Sequence, residues 1–254
     1  MLLFMAMTVQ RAADRFETRV DWLDSRHSFS FGRHYDVSNT HFGLLLVNND
    51  DIVVPGAGFE THPHRDMEIV TWVLRGQLVH QDSAGHNGVI YPGLAQRMSA
   101  GRGIQHSEKN DSWRLTGGPE HREPVRFVQM WVAPDEAGAD PGYEQLEIAD
   151  ELLTGGLVPV ASGRAGDRDR AAIRIRQKDA TLHAARLAPG ASVTLPAAPF
   201  VHLYVPLGSV ALEGAAEDLR EGDAARIEEA EGQRVTAGPA GAEILVWEMH
   251  AALR

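Results

Sequence analysis

An all-β chain built as two antiparallel barrels in tandem is the fold this sequence predicts. Three observations point there. Apolar stretches are only five to seven residues long, the length of strands, and are rich in Val, Ile, Leu, Phe and Trp. Turn formers, 25 glycines and 13 prolines among 254 residues, punctuate the whole chain. No eighteen-residue window holds a clean helical period, so nothing competes with the strand reading.

Taken in order, residues 42–47, 69–74 and 126–132 supply strands of the first barrel. Residues 171–175, 201–205 and 243–247 supply strands of the second. Between them, residues 133–143 are rich in Pro, Gly and Asp and read as a connector, which places the domains at 1–138 and 139–254. The best helical segment is short, at 149–153. Residues 162–170, polar and Arg/Asp-rich, read as a mobile loop. A faint repeat runs through both halves. A strand ends at Gly76, Pro92-Gly93 opens another, and 126–132 closes the unit; Gly208, Glu221-Gly222 and 243–249 repeat that order.

Composition excludes several chemistries. There is no cysteine, so disulfides, thiolate nucleophiles and Cys-type metal sites are out. A net charge of -11 disfavours binding to nucleic-acid backbones. No run approaches the roughly 20 apolar residues of a membrane helix. The apolar start, residues 1–9, is too short for a signal peptide, and Met5 and Met7 are alternative starts to Met1. These readings predict a cytoplasmic protein. No nucleotide-binding P-loop or Gly-x-Ser-x-Gly elbow occurs, and Gly101-Arg102-Gly103 lacks the third glycine of a dinucleotide loop.

Twelve histidines, concentrated in the first half, are the remaining signal. His62-Pro63-His64 on a strand projects two imidazoles from one face. Pro63 cannot donate to a ladder, which places the pair at a sheet rim. His106-Ser107-Glu108 has the same spacing, pairing an imidazole with a carboxylate. Together His62, His64, His106 and Glu108 suit a divalent first-row metal: Fe(II), Cu(II), Ni(II), Mn(II), Co(II) or Zn(II). An octahedral ion keeps two positions for substrate, water or dioxygen, whereas a tetrahedral zinc would be filled. Asp66 and Glu68 share the parity of His64, and Glu68 is the runner-up ligand or a hydrogen-bonding support for one. His27, His34 and His41 read as loop caps or core hydrogen-bonders. His80, His86 and His121 read as solvent-facing, and His202 as a satisfied core residue. The second half has no His-x-His, so its barrel is expected to carry no metal.

The segment Thr61-His62-Pro63-His64-Arg65-Asp66-Met67-Glu68 resembles the pirin family of the cupin superfamily. So do His80-Gln81-Asp82-Ser83-Ala84-Gly85-His86, residues 98–108 and residues 22–31. The strong likeness covers residues 20–132 and is closest to compact bacterial pirins. It implies a bicupin, two β-barrels in one chain, with metal ligands at His62, His64, His106 and Glu108, iron as the usual ion, and Glu68 outside the ligand set. Some pirins are quercetin 2,3-dioxygenases, which implies a small aromatic substrate and dioxygen, with Glu108 as base toward the substrate hydroxyl. Others are redox-sensing regulators that bind protein partners. Two fused barrels bury each other's surface, so a monomer is expected.

Overall fold

The computed structural model describes residues 6–111 and 120–253; of the three start methionines, Met1 and Met5 lie outside them. The chain is strand throughout, as expected. β1 (Ala6–Gln10), β2 (Phe16–Val20), β3 (Leu23–His27), β4 (Leu45–Val53), β5 (Gly58–His64) and β6 (Glu68–Arg75) are followed by β7 (Leu78–Asp82), β8 (Asn87–Ile90), β9 (Leu94–Ser99), β10 (Ile104–Lys109) and β11 (Val125–Val132). β12 (Gly142–Glu147) leads into one short helix, α1 (Ala149–Leu152), at the segment read as helical. β13 (Val158–Ser162), β14 (Ile173–Arg174), β15 (Ala180–Leu187), β16 (Ser192–Thr194), β17 (Ala197–Leu212), β18 (Leu219–Arg220), β19 (Ala224–Glu231) and β20 (Arg234–Met249) complete the chain.

Hydrogen bonding sorts these strands into three open sheets rather than closed barrels. The first unit sets a seven-stranded sheet, β12-β9-β6-β11-β4-β3-β2, against a four-stranded sheet, β5-β10-β7-β8. The second unit is a nine-stranded sheet with the path β1-β19-β17-β20-β15-β13-β14. Register shifts between Tyr204 and Leu207, and again between Gly208 and Val210, interrupt the long β17–β20 pairing, and such irregularities bend a sheet. Two strands cross the expected boundary. β1 pairs with β19 of the later sheet, and β12 pairs with β9 of the earlier one.

Side-chain parity explains why the central strands read as unbroken apolar runs. On β6, Val70 and Trp72 face the second unit, while Thr71 and Val73 face the interior of the first. On β11, Val128, Met130 and Val132 face the second unit, and Phe127 faces inward. β15 and β20 answer with Leu182, Ala184, Leu245, Trp247 and Met249 on the shared face. Ala185, Leu187, Ile244 and Val246 point into the second unit's own core. Both faces of these sheets are thus buried.

Polar bonds stitch the same interface. Trp72 Nε1 donates to Glu243 at 2.7 Å, and Arg186 Nε donates to that carboxylate at 2.7 Å. Arg126, held by Asp50 within the first unit, crosses to donate through Nη1 to Glu221 at 2.6 Å and through Nη2 to the Pro206 carbonyl at 3.1 Å. The stretch 162–170, read as a mobile loop, is anchored by Asp167, whose buried carboxylate accepts from Ser162 and Thr181 at 2.9 and 2.7 Å. Among the described residues, no helix is long and apolar enough to cross a membrane.

Candidate metal centre

The site grows from the four-stranded sheet. β10 lies between β5 and β7, with His106 opposite His62 on one side and Asp82 on the other. A register shift between His106 and Glu108 puts Glu108 opposite Phe59 on β5, and opposite His80 on β7. Gly58 permits this approach: a Cβ there would sit 2.2 Å from the Glu108 carbonyl oxygen.

Of the four residues read from spacing, His62, His64 and His106 converge, while Glu108 groups with His106 and His80 rather than with His62 and His64. The rings of His62, His64 and His106 lie 4.5 to 4.9 Å apart, centroid to centroid. Their donor nitrogens fall within 4.8 Å of one another. A second buried group of donors, His80, His106 and Glu108, meets the same limit and shares His106. The Glu108 carboxylate, 2 % exposed, accepts from Gln129 Nε2 at 2.7 Å and from Thr71 Oγ1 at 3.3 Å. Trp131 Nε1 donates to Gln129 Oε1 at 2.9 Å and so fixes which way that amide points. The Trp131 ring also packs edge-on against His64 at 4.8 Å.

These imidazoles are suited to a cation. His62 Nδ1 lies 2.7 Å from the Glu60 carbonyl, an acceptor only, so the proton sits on Nδ1 and Nε2 presents a lone pair. That Nε2 faces His106 Nε2 at 3.1 Å. His64 Nε2 is buried without a hydrogen-bond partner. Burial, reinforced by the neighbouring imidazoles, lowers His64 to about 4 and His106 to about 3, so both are neutral at pH 7. Convergent imidazoles and an adjacent carboxylate fit a divalent first-row ion.

The pH dependence of the metal-free protein follows from those shifts. In the unfolded chain these histidines titrate near 6.5. Below that pH the unfolded state takes up protons that the folded state refuses. Their stabilising contribution is whole above 6.5 and is lost as pH falls toward the folded values. Asp51, raised to about 7 by burial, works the other way, its contribution being lost as pH rises from 3.8 toward 7. Comparison with His106→Leu isolates the histidine effect. Denaturant unfolding between pH 6.5 and about 5 should show a shallower decline in the variant than in the wild type; equal slopes would contradict the shift.

Other expected residues go elsewhere. Asp66 adopts a positive φ of 48° just after β5, which breaks the parity that would carry it and Glu68 to the histidines. Its Oδ1 accepts from Gly138 N at 2.6 Å. Glu68 is buried with Oε2 accepting from Ser99 Oγ at 2.8 Å and Arg176 N at 3.0 Å, a contact with the second unit. His80, read as solvent-facing, is 0 % exposed because β7 pairs with β10 and turns it inward. His202 is buried as expected, but neither ring nitrogen has a hydrogen-bond partner. In the second unit, His183 and His250 both bond Glu248, at 2.9 and 2.8 Å.

Comparison with known proteins places this geometry. The family model described as Pirin matches residues 8–132, and the model described as a quercetinase C-terminal cupin domain matches residues 160–249. A Mycobacterium tuberculosis protein provisionally named as a quercetin 2,3-dioxygenase is 60% identical over 245 residues, 96% of each chain. The chain belongs to the pirin family. Its all-β architecture is the cupin fold of that family. The second match also extends the likeness into the half that resembled pirins only in rhythm. An Escherichia coli quercetin 2,3-dioxygenase is 44% identical over 137 residues, 54% of this pirin and 56% of that protein. The crystal structure of a bacterial pirin from Escherichia coli in complex with nickel(II) superposes with a TM-score of 0.84 at 32% identity, covering 97% of this pirin and all of that chain.

A cavity of about 640 Å³ opens beside the site, lined by Pro63, His64, Arg65, Ser83, Gly103 and Gln105 among others. That size lies within the range of small-molecule pockets. Gln129, Trp131, Thr71 and His80 escaped the sequence reading. A signal for His80 existed: His80-x-Asp82 has the same two-residue spacing as the other pairs.

Proposed function

We propose that this pirin is a metal-dependent dioxygenase that cleaves flavonol-type or other enolisable aromatic substrates. Its ion, iron(II) by family habit, would be held by His62, His64, His106 and Glu108. The observation that carries the reading is the convergence of three imidazoles beside a cavity of small-molecule size. The names of its relatives point the same way. When bound, the ion supplies Lewis acidity toward an oxygen donor and a redox partner for dioxygen.

The chain's own residues do the rest. Glu108, with Oε2 held by Gln129 and Oε1 by Thr71, is placed to take the proton of a substrate hydroxyl. His64 lines both the cavity and the imidazole cluster, so an aromatic ring entering past Pro63 and Gln105 arrives at the donors. Trp131 packs edge-on beside His64 and walls that side of the cluster.

The test is anaerobic loading with each first-row metal, then quercetin and oxygen with a carbon monoxide assay. Oxygen consumption with carbon monoxide release is the expected result. Glu108→Gln should lower the rate about 10²- to 10⁴-fold, the usual contribution of a general base. No turnover with any first-row metal would overturn the reading.

A further inference from the structure

We propose that Trp131 and Phe31 form an aromatic shelf at the imidazole cluster that selects a two-ring, flavonol-type substrate. Trp131 receives the ring that carries the reacting oxygens, and Phe31 receives the pendant ring. The inference rests on the reaction proposed above and deepens it by assigning residues that recognise the substrate.

The shelf begins at the donors. Trp131 stands edge-on to His64, with centroids 4.8 Å apart and planes at 80°. Two residues apart on β11, Gln129 and Trp131 share a face, so Trp131 points toward the side where Gln129 holds Glu108. The bond from Trp131 Nε1 to Gln129 Oε1 at 2.9 Å fixes the indole. Phe31 comes next, 5.7 Å from Trp131 and at 76° to it. The two rings thus lead away from His64 in sequence. Offset-stacked and edge-to-face contacts are both favourable, so a near-perpendicular pair can hold a substrate ring each.

Phe31 is held in place from below. Its N–H donates to the His34 carbonyl and the His34 N–H donates back, each at 2.9 Å, across a tight turn in which Gly32 takes a φ of 56°. Ser30 Oγ donates to the Asp36 carbonyl at 2.9 Å and accepts from Asp36 N at 2.8 Å, which ties down the loop beyond. The His27 ring lies under Phe31 at 5.0 Å and 24° from parallel, and is itself bonded to Thr18 Oγ1 at 2.8 Å and Asn49 Oδ1 at 2.9 Å. With His27 against one face, Phe31 still stays only half-buried, as does Trp131. Trp72, Phe29 and Phe127, by contrast, are fully buried. Rigid aromatic rings left partly open beside a few converging polar groups are the usual lining of a small-molecule site. Because they are already fixed, little ordering is lost when a ligand docks.

The test varies Phe31, since Trp131 also orients Gln129 and through it Glu108. The full chain, loaded with nickel(II) and kept free of oxygen, is titrated with two probes that share the same hydroxyl and carbonyl. 3-Hydroxyflavone has the pendant ring; 3-hydroxychromone lacks it. Thermal melting and elemental analysis report folding and metal content. Wild type should bind 3-hydroxyflavone more tightly than 3-hydroxychromone. Phe31→Ala should weaken 3-hydroxyflavone about 2- to 10-fold, the worth of one aromatic contact, and leave 3-hydroxychromone unchanged. Phe31→Tyr keeps the ring and should restore binding. Phe31→Leu keeps apolar bulk without a ring and should not, and it replaces the alanine variant if that one fails to fold. With quercetin and oxygen, the same loss should fall on KM rather than kcat. A folded, metal-loaded Phe31→Leu that binds 3-hydroxyflavone like wild type overturns the shelf. So does equal weakening of both probes, or a wild type that does not bind 3-hydroxyflavone. If the binding pattern holds but oxygen brings no turnover, the shelf stands and the dioxygenase reading falls.

Discussion

Replacing His106 by alanine is expected to abolish metal retention. Among the described residues, His106 is shared by both donor groups, and it is 2 % exposed at the centre of the imidazole cluster. Its loss leaves His62 and His64 on one strand, with nothing from β10 to face them but Glu108. His62→Ala removes the partner directly across the ladder and should have the same consequence. Elemental analysis of protein purified without chelator or a His-tag checks this, with thermal melting to show that the variants fold. Near-stoichiometric metal in both variants would show that the ligands lie elsewhere.

The largest loss of stability is expected at Trp72. Its ring is fully buried between the two units, and its Nε1 donates to Glu243 across the interface at 2.7 Å. Trp72→Ala removes a large buried side chain and should cost about 3–5 kcal/mol. Trp72→Phe keeps most of the ring but loses the donor; Glu243 still receives Arg186, so about 1 kcal/mol is expected. Because the shared cluster draws on strands of both units, denaturant unfolding should be a single transition in wild type. The alanine variant should unfold at lower denaturant or split into two transitions. An unchanged midpoint would show that the interface does not couple the units.

Much of this was legible because strand parity is local. Two residues apart means one face, so His62 with His64 and His106 with Glu108 could be paired before any fold was known. What parity could not supply was pairing between distant strands. His80 lies next to turn-forming residues and looks exposed, yet the β7–β10 ladder turns it inward. Gln129 and Trp131 sat inside a run read simply as a strand; only the second buried face of β11 separates them from Val128 and Met130. Asp66 left the expected face through a left-handed backbone that nothing in its flanking residues announces. The exchange of β1 and β12 between units is likewise long-range hydrogen bonding, with no local signature in composition. His202 shows the same limit. Its apolar setting was plain, but that neither ring nitrogen finds a partner depends on neighbours brought in from distant strands, among them Phe29.

The central claim is that His62, His64, His106 and Glu108 hold one divalent ion. Crystals of the protein purified without chelator, measured at the absorption edges of the first-row metals, test it most directly. The account predicts a single strong anomalous peak among the Nε2 atoms of the three histidines, with the Glu108 carboxylate beside it. A peak centred on other residues, or none in protein shown by elemental assay to contain metal, would contradict it.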